Sequence, residues 1–244
     1  MRHLRVWVTV PTYNEVENIE ILVQRIRAAI PDAHILVVDD DSPDGTAEKA
    51  EALGAELGDI EVLRRPAKMG LGSAYRAGHA VGIARGYDVM VQIDADLSHD
   101  PADLPRLVAA VDDGADLAIG SRYVPGGSVP NWPRRRLALS SWGNRYAAFC
   151  LGIEVRDSTA GYRAYRASVL RAIDFETTHS TGYGFQIEMT YRVLRAGGRI
   201  DEVPIAFTDR VRGNSKMSWR IVVEAMFLVT WWGVRDRVLH RHNR

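Results

Sequence analysis

Short aliphatic segments alternate with helical patterns through the first half of the chain, and this alternation restricts the possible folds more than any other feature. The predicted strands cover residues 6–10, 35–38, 60–63, 89–93 and 117–119. Helices are predicted between them, including 71–84 and 104–111, and Asn14 is expected to cap the first helix. Because aliphatic strands that alternate with helices are typical of a parallel sheet covered on both faces, we predict an α/β fold.

Composition and charge narrow the function classes. The 244 residues carry a formal net charge of zero, so general electrostatic capture of nucleic acid is not indicated and no nucleic-acid partner is expected. The single cysteine, Cys150, excludes an internal disulfide and disfavours a structural zinc site. No segment reaches the ~20 apolar residues of a membrane-spanning helix, and the start of the chain does not resemble a secretory signal. We therefore expect a cytoplasmic protein.

Polar residues follow each predicted strand at its carboxyl end. These ends hold residues 11–15, 39–44, 68–72, 94–96 and 120–122. In a parallel α/β sheet, ligands bind outside the carboxyl ends of the strands, so the segments are predicted to form one site. No Gly-x-Gly-x-x-Gly follows the first strand, which argues against a dinucleotide-binding dehydrogenase.

Two acidic motifs carry most of the predicted chemistry. Asp94 and Asp96 stand one residue apart at a strand end and are suited to holding a divalent cation together with a diphosphate. The run of Asp39, Asp40 and Asp41 places like charges side by side, so some of these carboxylates need partners. The hydroxyls of a ribose or the donors of a base would serve, and the alternative is that Asp41 only shapes the turn.

Together these motifs resemble the inverting family 2 glycosyltransferases, which have a GT-A fold. The resemblance covers roughly residues 5–218 and rests on PTYNE at 11–15, VDDDSPDGT at 38–46, DADLSH at 94–99 and GSRY at 120–123. Two further motifs narrow the resemblance to the polyprenol- or dolichol-phosphate mannose synthases, in a short form without transmembrane helices. They are VPNWP at 129–133, followed by Arg136, and RGNSK at 212–216.

The resemblance implies a GT-A (Rossmann-like) sheet, mostly parallel and flanked by helices, and a role for each matching residue. The residues implied to hold guanosine are Pro11, Tyr13, Glu15, Val38 and Asp40. Those implied to bind Mg²⁺ or Mn²⁺ with the diphosphate are Asp94, Asp96 and Ser98, the last standing where the family has glutamine. Those implied to surround the sugar and phosphates are Arg122, Arg136, Arg210 and Lys216, with Ser140 near the acceptor.

The arginine-rich segments 134–136 and 210–216 suit two phosphate-bearing substrates, although Arg134 and Arg135 by themselves also fit a solvated surface. A lipid phosphate is already anionic near neutral pH, so it attacks the anomeric carbon without a base. A hydroxyl acceptor would need a base, and Asp157 is the residue that we assign to this rival mechanism. His99 is also expected to approach the site.

The end of the chain differs from the rest. Residues 219–244 are predicted to form a C-terminal amphipathic helix and a basic tail, outside a catalytic domain over 1–218. Trp231 and Trp232, with arginines on both sides, fit a helix at a membrane interface. A helix docked on the core and an oligomer contact are equal alternatives.

The function expected from these features is transfer of mannose from GDP-mannose to a polyprenyl monophosphate, at the cytoplasmic face of a membrane. The partners are then the two substrates, the membrane surface and, as a further candidate, a separate membrane-anchoring protein. One alternative is a family 2 transferase that uses a UDP-sugar such as UDP-glucose. Another is a non-catalytic nucleotide-binding module.

Overall fold

A computed structural model describes residues 4–178, 180, 182–208 and 226–235. Within these residues, seven strands form one sheet in the order β3-β2-β1-β4-β6-β5-β7. Strand β6 runs antiparallel to β4 and β5, and the other neighbours pair in parallel. The strands are β1 Val6–Thr12, β2 His34–Asp39, β3 Ile60–Arg64, β4 Val89–Gln92, β5 Leu117–Ser121, β6 Arg163–Arg166 and β7 Ile200–Pro204.

Helices cover both faces of this sheet. They are α1 Ile19–Ala29, α2 Thr46–Leu57, α3 Leu71–Ala84, α4 Leu104–Asp112, α5 Arg134–Leu151, α6 Ala167–Ala172, α7 Gly182–Arg195 and α8 (226–235). Apolar side chains of α1, α2 and α4 pack on one face, and those of α3, α6 and α7 pack on the other.

The central strands are buried on both faces, and this is why their sequences are almost continuously apolar. In β1, Val8 and Val10 belong to the core under α1. Trp7 belongs to the opposite core under α3. The two cores hold the sheet rigid, so the loops that follow the strands start from fixed positions.

The five predicted strands and the predicted helices 71–84 and 104–111 are confirmed. Strand β1 differs at its end, because it continues through Pro11 to Thr12. Pro11 pairs with Val38 on one side only, since the pairing of β1 with β4 stops at Thr9. A proline is tolerated where one edge of its strand is unpaired.

The prediction that Asn14 caps the first helix is wrong. Helix α1 begins at Ile19, with Asn18 at the N-cap. Asn14 instead has a φ of +60° in the preceding loop, and its backbone N–H donates to the Ser42 hydroxyl at 3.0 Å. This hydrogen bond joins the loop after β1 to the loop after β2, and helix α1 begins five residues after Asn14.

Strands β6 and β7 were not predicted. Strand β6 has only four residues, two of them arginine, and β7 reads as polar and half-buried. Neither shows the aliphatic run that marks the central strands. Their pairing depends on residues far away in the sequence, since β6 lies between β4 and β5.

Helix α8 packs against α5 and α7. Val229 is buried with Ala147 and Ile187, and the hydroxyls of Tyr146 and Thr230 are 2.7 Å apart. None of the helices in the described part of the chain combines the length and apolar character needed to cross a bilayer.

Candidate active site

The carboxyl ends of β2, β1 and β4 lie side by side, and the predicted nucleotide-binding residues follow the first two of these strands. The Thr12 hydroxyl donates a 2.7 Å hydrogen bond to Asp39 Oδ2 and so joins the two strand ends. The side chain of Val38 is fully buried in the core. One edge of the sheet therefore carries the predicted set Pro11, Tyr13, Glu15, Val38 and Asp40.

Two of the three adjacent aspartates have partners within the chain. Asp39 accepts hydrogen bonds from the backbone N–H and the hydroxyl of Ser42, at 2.9 and 2.6 Å. Asp40 is buried in an ion pair with Arg65 and accepts a 3.1 Å hydrogen bond from the backbone N–H of Met69. Repulsion within the acidic run is thus relieved by the protein, and a contact between Asp40 and guanosine stays a prediction.

A positive charge lies at the same edge. The Lys68 ammonium is 4.1 Å from the centroid of the Tyr13 ring, within the range of a cation–π interaction. Arg65, which sequence reasoning missed, lies at the end of β3, where its charge is balanced by Asp40. A ligand with negative charge would meet the Lys68 ammonium next to the predicted nucleotide site.

Asp94 and Asp96 stand just beyond β4. Asp94 Oδ1 accepts a 2.6 Å hydrogen bond from the Tyr75 hydroxyl. Burial, together with the charge of Asp94, raises the pKa of Tyr75 well above its usual value, so the hydroxyl keeps its proton and donates. Asp96 is buried, and its Oδ1 accepts the backbone N–H of Ser98 at 3.0 Å. Between them Leu97 has a φ of +59°, which is uncommon for a bulky residue.

The Ser98 hydroxyl tests whether a divalent cation fits here. Its oxygen is buried and has no hydrogen-bond partner among the described residues. Carboxylate and hydroxyl oxygens suit Mg²⁺ and Mn²⁺. The described residues hold no group of three His, Cys, Asp or Glu side chains that could bind a metal together. The oxygens of Asp94, Asp96 and Ser98 are chemically suited to such a cation, and their role as its ligands stays a prediction.

Arg122 is fixed by Asp157. The Asp157 carboxylate is fully buried and accepts hydrogen bonds from Arg122 Nε at 2.8 Å and Nη2 at 2.6 Å, and from the Arg122 backbone N–H at 2.9 Å. Arg122 Nη2 also donates to the Thr159 hydroxyl at 2.9 Å. This bidentate geometry holds the guanidinium in one orientation.

Arg136 and Ser140 lie beside Arg122. The guanidinium carbons of Arg136 and Arg122 are 4.0 and 5.6 Å from the Trp132 ring. The Tyr123 hydroxyl donates to Ser140 Oγ at 2.7 Å. The structure thus brings three residues predicted from the sequence to one place, although their spacing along the chain reaches 18 residues.

These residues line a cavity of about 110 Å³ between α5 and α8. Arg122, Arg136 and Ser140 supply polar groups, and most of the remaining lining is apolar. The apolar part consists of Trp132, Leu139, Trp142, Gly143, Tyr146, Ala147, Ile187, Met226 and Val229. Small-molecule sites typically combine a mostly apolar lining with a few placed polar groups, and this cavity has that combination.

The segment 157–161 connects this cavity to the aspartates. Thr159 lines the cavity and contacts Arg122. Two residues on, a Cβ placed on Gly161 would lie 3.4 Å from Asp94 Oδ2. Residues 157–161 therefore lie between the two parts of the site, with Gly161 beside Asp94 and Thr159 in contact with Arg122.

His99 is buried beside this junction. Its ring centroid is 4.9 Å from that of Tyr162 and 5.0 Å from that of Phe207. Burial lowers the pKa of His99 to about 4, against an opposing effect of Asp96. The imidazole is neutral near pH 7, so it adds no positive charge to the site. Of the remaining predicted residues, Arg210 and Lys216 fall outside the residues that the structure describes.

Sequence reasoning missed Tyr75, which donates to Asp94, and Gln186, whose Nε2 would be 3.8 Å from a Cβ on Gly161. Tyr75 lies on the face of α3 that packs against the sheet, where an aromatic residue reads as core. Gln186 lies on α7 beside Phe185 and Ile187, and its amide is buried. An isolated glutamine within an apolar helix face was the available signal for Gln186.

Comparison with known sequences identifies the family. The chain matches glycosyl transferase family 2 over residues 7–174. It is 54% identical to the polyprenol monophosphomannose synthase of Mycolicibacterium smegmatis, over 96% of this chain and 89% of that protein. It is 53% identical to the undecaprenyl-phosphate mannosyltransferase of Micrococcus luteus, over 96% of each. The dolichol-phosphate mannosyltransferase of Pyrococcus furiosus is 38% identical, over 97% of this chain and 67% of that protein.

Solved structures share the fold at low sequence identity. The mannosyl-3-phosphoglycerate synthase of Rubrobacter xylanophilus has a TM-score of 0.66 at 20% identity, over 99% of this chain and 76% of that chain. The glucosyl-3-phosphoglycerate synthase of Mycobacterium tuberculosis, solved with Mn²⁺, uridine diphosphate and glucosyl-3-phosphoglycerate, has a TM-score of 0.63 at 21% identity, over 93% and 77%. The predicted α/β architecture is confirmed. The chain belongs to glycosyl transferase family 2 and is a glycosyltransferase with a GT-A-like fold.

Proposed function

We propose that the chain transfers mannose from GDP-mannose to a polyprenyl monophosphate, with a divalent cation and with inversion at the anomeric carbon. The observation that carries the proposal is the cavity between α5 and α8. Two guanidinium groups, of Arg122 and Arg136, border a lining that is otherwise mostly apolar. A phosphate attached to a long hydrocarbon chain matches both properties, whereas a hydrophilic acceptor would leave the apolar lining in contact with polar groups.

The donor is inferred from the relatives and from the residues at the strand ends. The relatives that cover most of the chain are named for mannose transfer to, or mannose on, polyprenyl-type phosphates. Pro11, Tyr13, Glu15, Val38 and Asp40 are proposed to hold the guanosine. Lys68 lies beside them and suits the charge of a nucleoside diphosphate.

The mechanism follows from where the charges lie. Asp157 holds Arg122 in a fixed orientation, and Arg136 lies over Trp132, so two cations face the acceptor phosphate without having to reorganise. The phosphate oxygen then attacks the anomeric carbon directly, opposite the leaving diphosphate, and one displacement inverts that centre. A cation held by Asp94, Asp96 and Ser98 would stabilise the negative charge of the departing nucleoside diphosphate.

Peripheral binding at the cytoplasmic face of a membrane is part of the proposal. Of the ten large apolar side chains exposed in the described part of the chain, seven lie on α5 or α8. These are Leu137, Leu139, Trp142, Phe149, Phe227, Trp231 and Val234. The same two helices contain five arginines and no acidic residue, which favours anionic lipid. Leu139 and Trp142 also line the cavity, so it opens onto this surface.

Vesicle flotation tests the membrane contact. The full chain should float with vesicles containing phosphatidylglycerol, and Phe227→Ser combined with Trp231→Ser should reduce the bound fraction severalfold. Ile21→Ser removes an exposed apolar side chain from α1, on another part of the surface, and should change nothing. Equal binding by the α8 double variant and the unaltered chain would remove the membrane surface from the proposal.

The central experiment offers the purified chain radiolabelled GDP-mannose or UDP-glucose in detergent, with Mg²⁺, Mn²⁺ or EDTA. The acceptor is a short polyprenyl phosphate or the matching polyprenol. Lipid-linked mannose should form only from GDP-mannose, polyprenyl phosphate and a cation. Product from UDP-glucose alone would show that the proposed donor is wrong. Product from polyprenol would refute the phosphate acceptor, and full activity in EDTA would refute the requirement for a divalent cation.

Matched variants locate the acceptor site. Arg136→Ala should raise the KM for polyprenyl phosphate at least about tenfold, because it removes a charge-assisted contact from the cavity. Arg25→Ala removes an exposed arginine from α1 and should leave the KM unchanged. An unaltered KM in Arg136→Ala would place the acceptor elsewhere.

A further inference from the structure

Gln186 is a buried polar residue whose side chain has no hydrogen-bond partner among the described residues. Its side chain is 2% exposed, and neither amide atom has a hydrogen-bond partner among the described residues. A buried amide without partners costs free energy. The rest of the residue is well held, because the Gln186 backbone carbonyl accepts from Arg163 Nη1 at 2.9 Å and from the Thr190 hydroxyl at 2.9 Å. The backbone of Gln186 is therefore held by hydrogen bonds, whereas its side-chain amide makes none to the described residues.

The amide end and the Asp94 carboxylate both lie within 4 Å of the position that a Cβ on Gly161 would take. A Cβ built on Gly161 would be 3.4 Å from Asp94 Oδ2 and 3.8 Å from Gln186 Nε2. Both distances are ordinary van der Waals contacts, so this position touches the two side chains without clashing with either. Gly161 thus leaves a small space that is bordered by a carboxylate on one side and a carboxamide on the other.

The chemistry of this space selects a hydroxylated ligand. A carboxamide both donates and accepts hydrogen bonds, whereas an ionised carboxylate only accepts. Adjacent sugar hydroxyls can donate to Asp94 and exchange hydrogen bonds with Gln186.

We propose that Gln186 binds hydroxyls of the transferred sugar, and that the missing side chain at Gly161 makes room for that sugar beside Asp94. This inference rests on the proposed function and adds a donor-binding residue to it. The sugar ring would then lie between the aspartates after β4 and the arginines of the cavity, since segment 157–161 borders both.

Calorimetric titration with GDP and with GDP-mannose, both in the presence of Mn²⁺, tests the inference, because the two ligands differ only by the sugar. Gln186→Leu should weaken GDP-mannose binding roughly tenfold and leave GDP binding within about twofold. Gly161→Ala should do the same by filling the space. Gln92→Leu is the control, because Gln92 is an equally buried glutamine that lies beside His79, and it should leave the ratio of the two affinities unchanged.

Thermal unfolding separates a binding role from a structural one. Replacing an unsatisfied buried amide by leucine should leave the Tm of Gln186→Leu unchanged or higher. A lower Tm together with equal weakening of GDP and GDP-mannose would overturn the inference, as would unchanged GDP-mannose binding in both site variants. If the unaltered chain binds the uridine pair UDP and UDP-glucose instead, the proposed donor is wrong. The same comparison made with that pair then decides the role of Gln186.

Discussion

The ion pair between Asp157 and Arg122 gives the sharpest quantitative prediction. Asp157→Asn keeps the shape of the side chain but removes its charge, so the buried Arg122 guanidinium loses the carboxylate that pairs with it. The Arg122 side chain is 8% exposed and the Asp157 side chain is fully buried. Breaking a buried pair by removing one partner costs about 3–5 kcal/mol.

That cost converts into a measurable change in melting temperature. For a protein of this length, 1 kcal/mol corresponds to a change in Tm of about 2–4 °C. The expected decrease for Asp157→Asn is therefore about 6–20 °C by differential scanning calorimetry. Glu51→Gln is the matched control, because Glu51 pairs with Arg64 while both side chains are about half exposed. It should change the Tm by less than about 2 °C.

Loss of the ion pair should also weaken binding of the acceptor. Below the melting temperature of Asp157→Asn, the KM for polyprenyl phosphate should rise, because Arg122 is no longer held toward the cavity. The affinity for GDP should stay near that of the unaltered chain, since the nucleotide residues follow β1 and β2. A decrease in Tm below about 3 °C, or equal losses for acceptor and nucleotide, would refute this account of Asp157.

Three further predictions address other parts of the molecule. Burial lowers the pKa of His79 to about 3, below its value near 6.5 in the unfolded chain. Below pH 6.5 the unfolded chain therefore binds a proton at His79 and the folded chain does not, so stability falls as the pH drops. Between pH 7.5 and pH 5, the free energy of unfolding of the unaltered chain should therefore fall by about 2 kcal/mol more than that of His79→Gln, as measured by urea unfolding. Gly82→Ala should destabilise by about 1–3 kcal/mol in urea because its Cβ would overlap a buried indole, whereas Gly143→Ala, whose Cβ meets open space, should be neutral or stabilising. Tyr75→Phe removes the hydrogen bond that orients Asp94 and should therefore weaken Mn²⁺ binding in the presence of GDP about tenfold, as measured by electron paramagnetic resonance. Unchanged binding would exclude this role of Tyr75.

The sequence predicted the half of the site that depends on strand order. Residues at the carboxyl ends of parallel strands must meet, so Asp40 and Asp94 could be placed near one another before any coordinates were known. The acceptor side depends on the antiparallel insertion of β6, which brings Thr159 and Gly161 to the same edge. Nothing local in the sequence marks that pairing, because the interactions that fix it join residues about 70 positions apart.

Side-chain partnerships were harder to predict than positions. Asp40 was recognised as a site residue, yet its ion pair with Arg65 spans 25 residues and depends on how β2 and β3 align. Gln186 illustrates the opposite case. A glutamine among apolar residues of α7 reads as a tolerated irregularity, and only its unpartnered amide together with its position at Gly161 in the described structure distinguishes it.

The geometry of Asp157 bears on which acceptor the site can use. A general base must lie within hydrogen-bond reach of the proton that it removes. Asp157 is fully buried, and its two oxygens already accept from three groups of Arg122 and, at 3.3 Å, from the Thr159 hydroxyl. Its charge is thereby committed to holding a cation beside the cavity. An acceptor that arrives as a phosphate anion needs that cation and needs no base, so the arrangement that disfavours Asp157 as a base for a hydroxyl acceptor favours a phosphate.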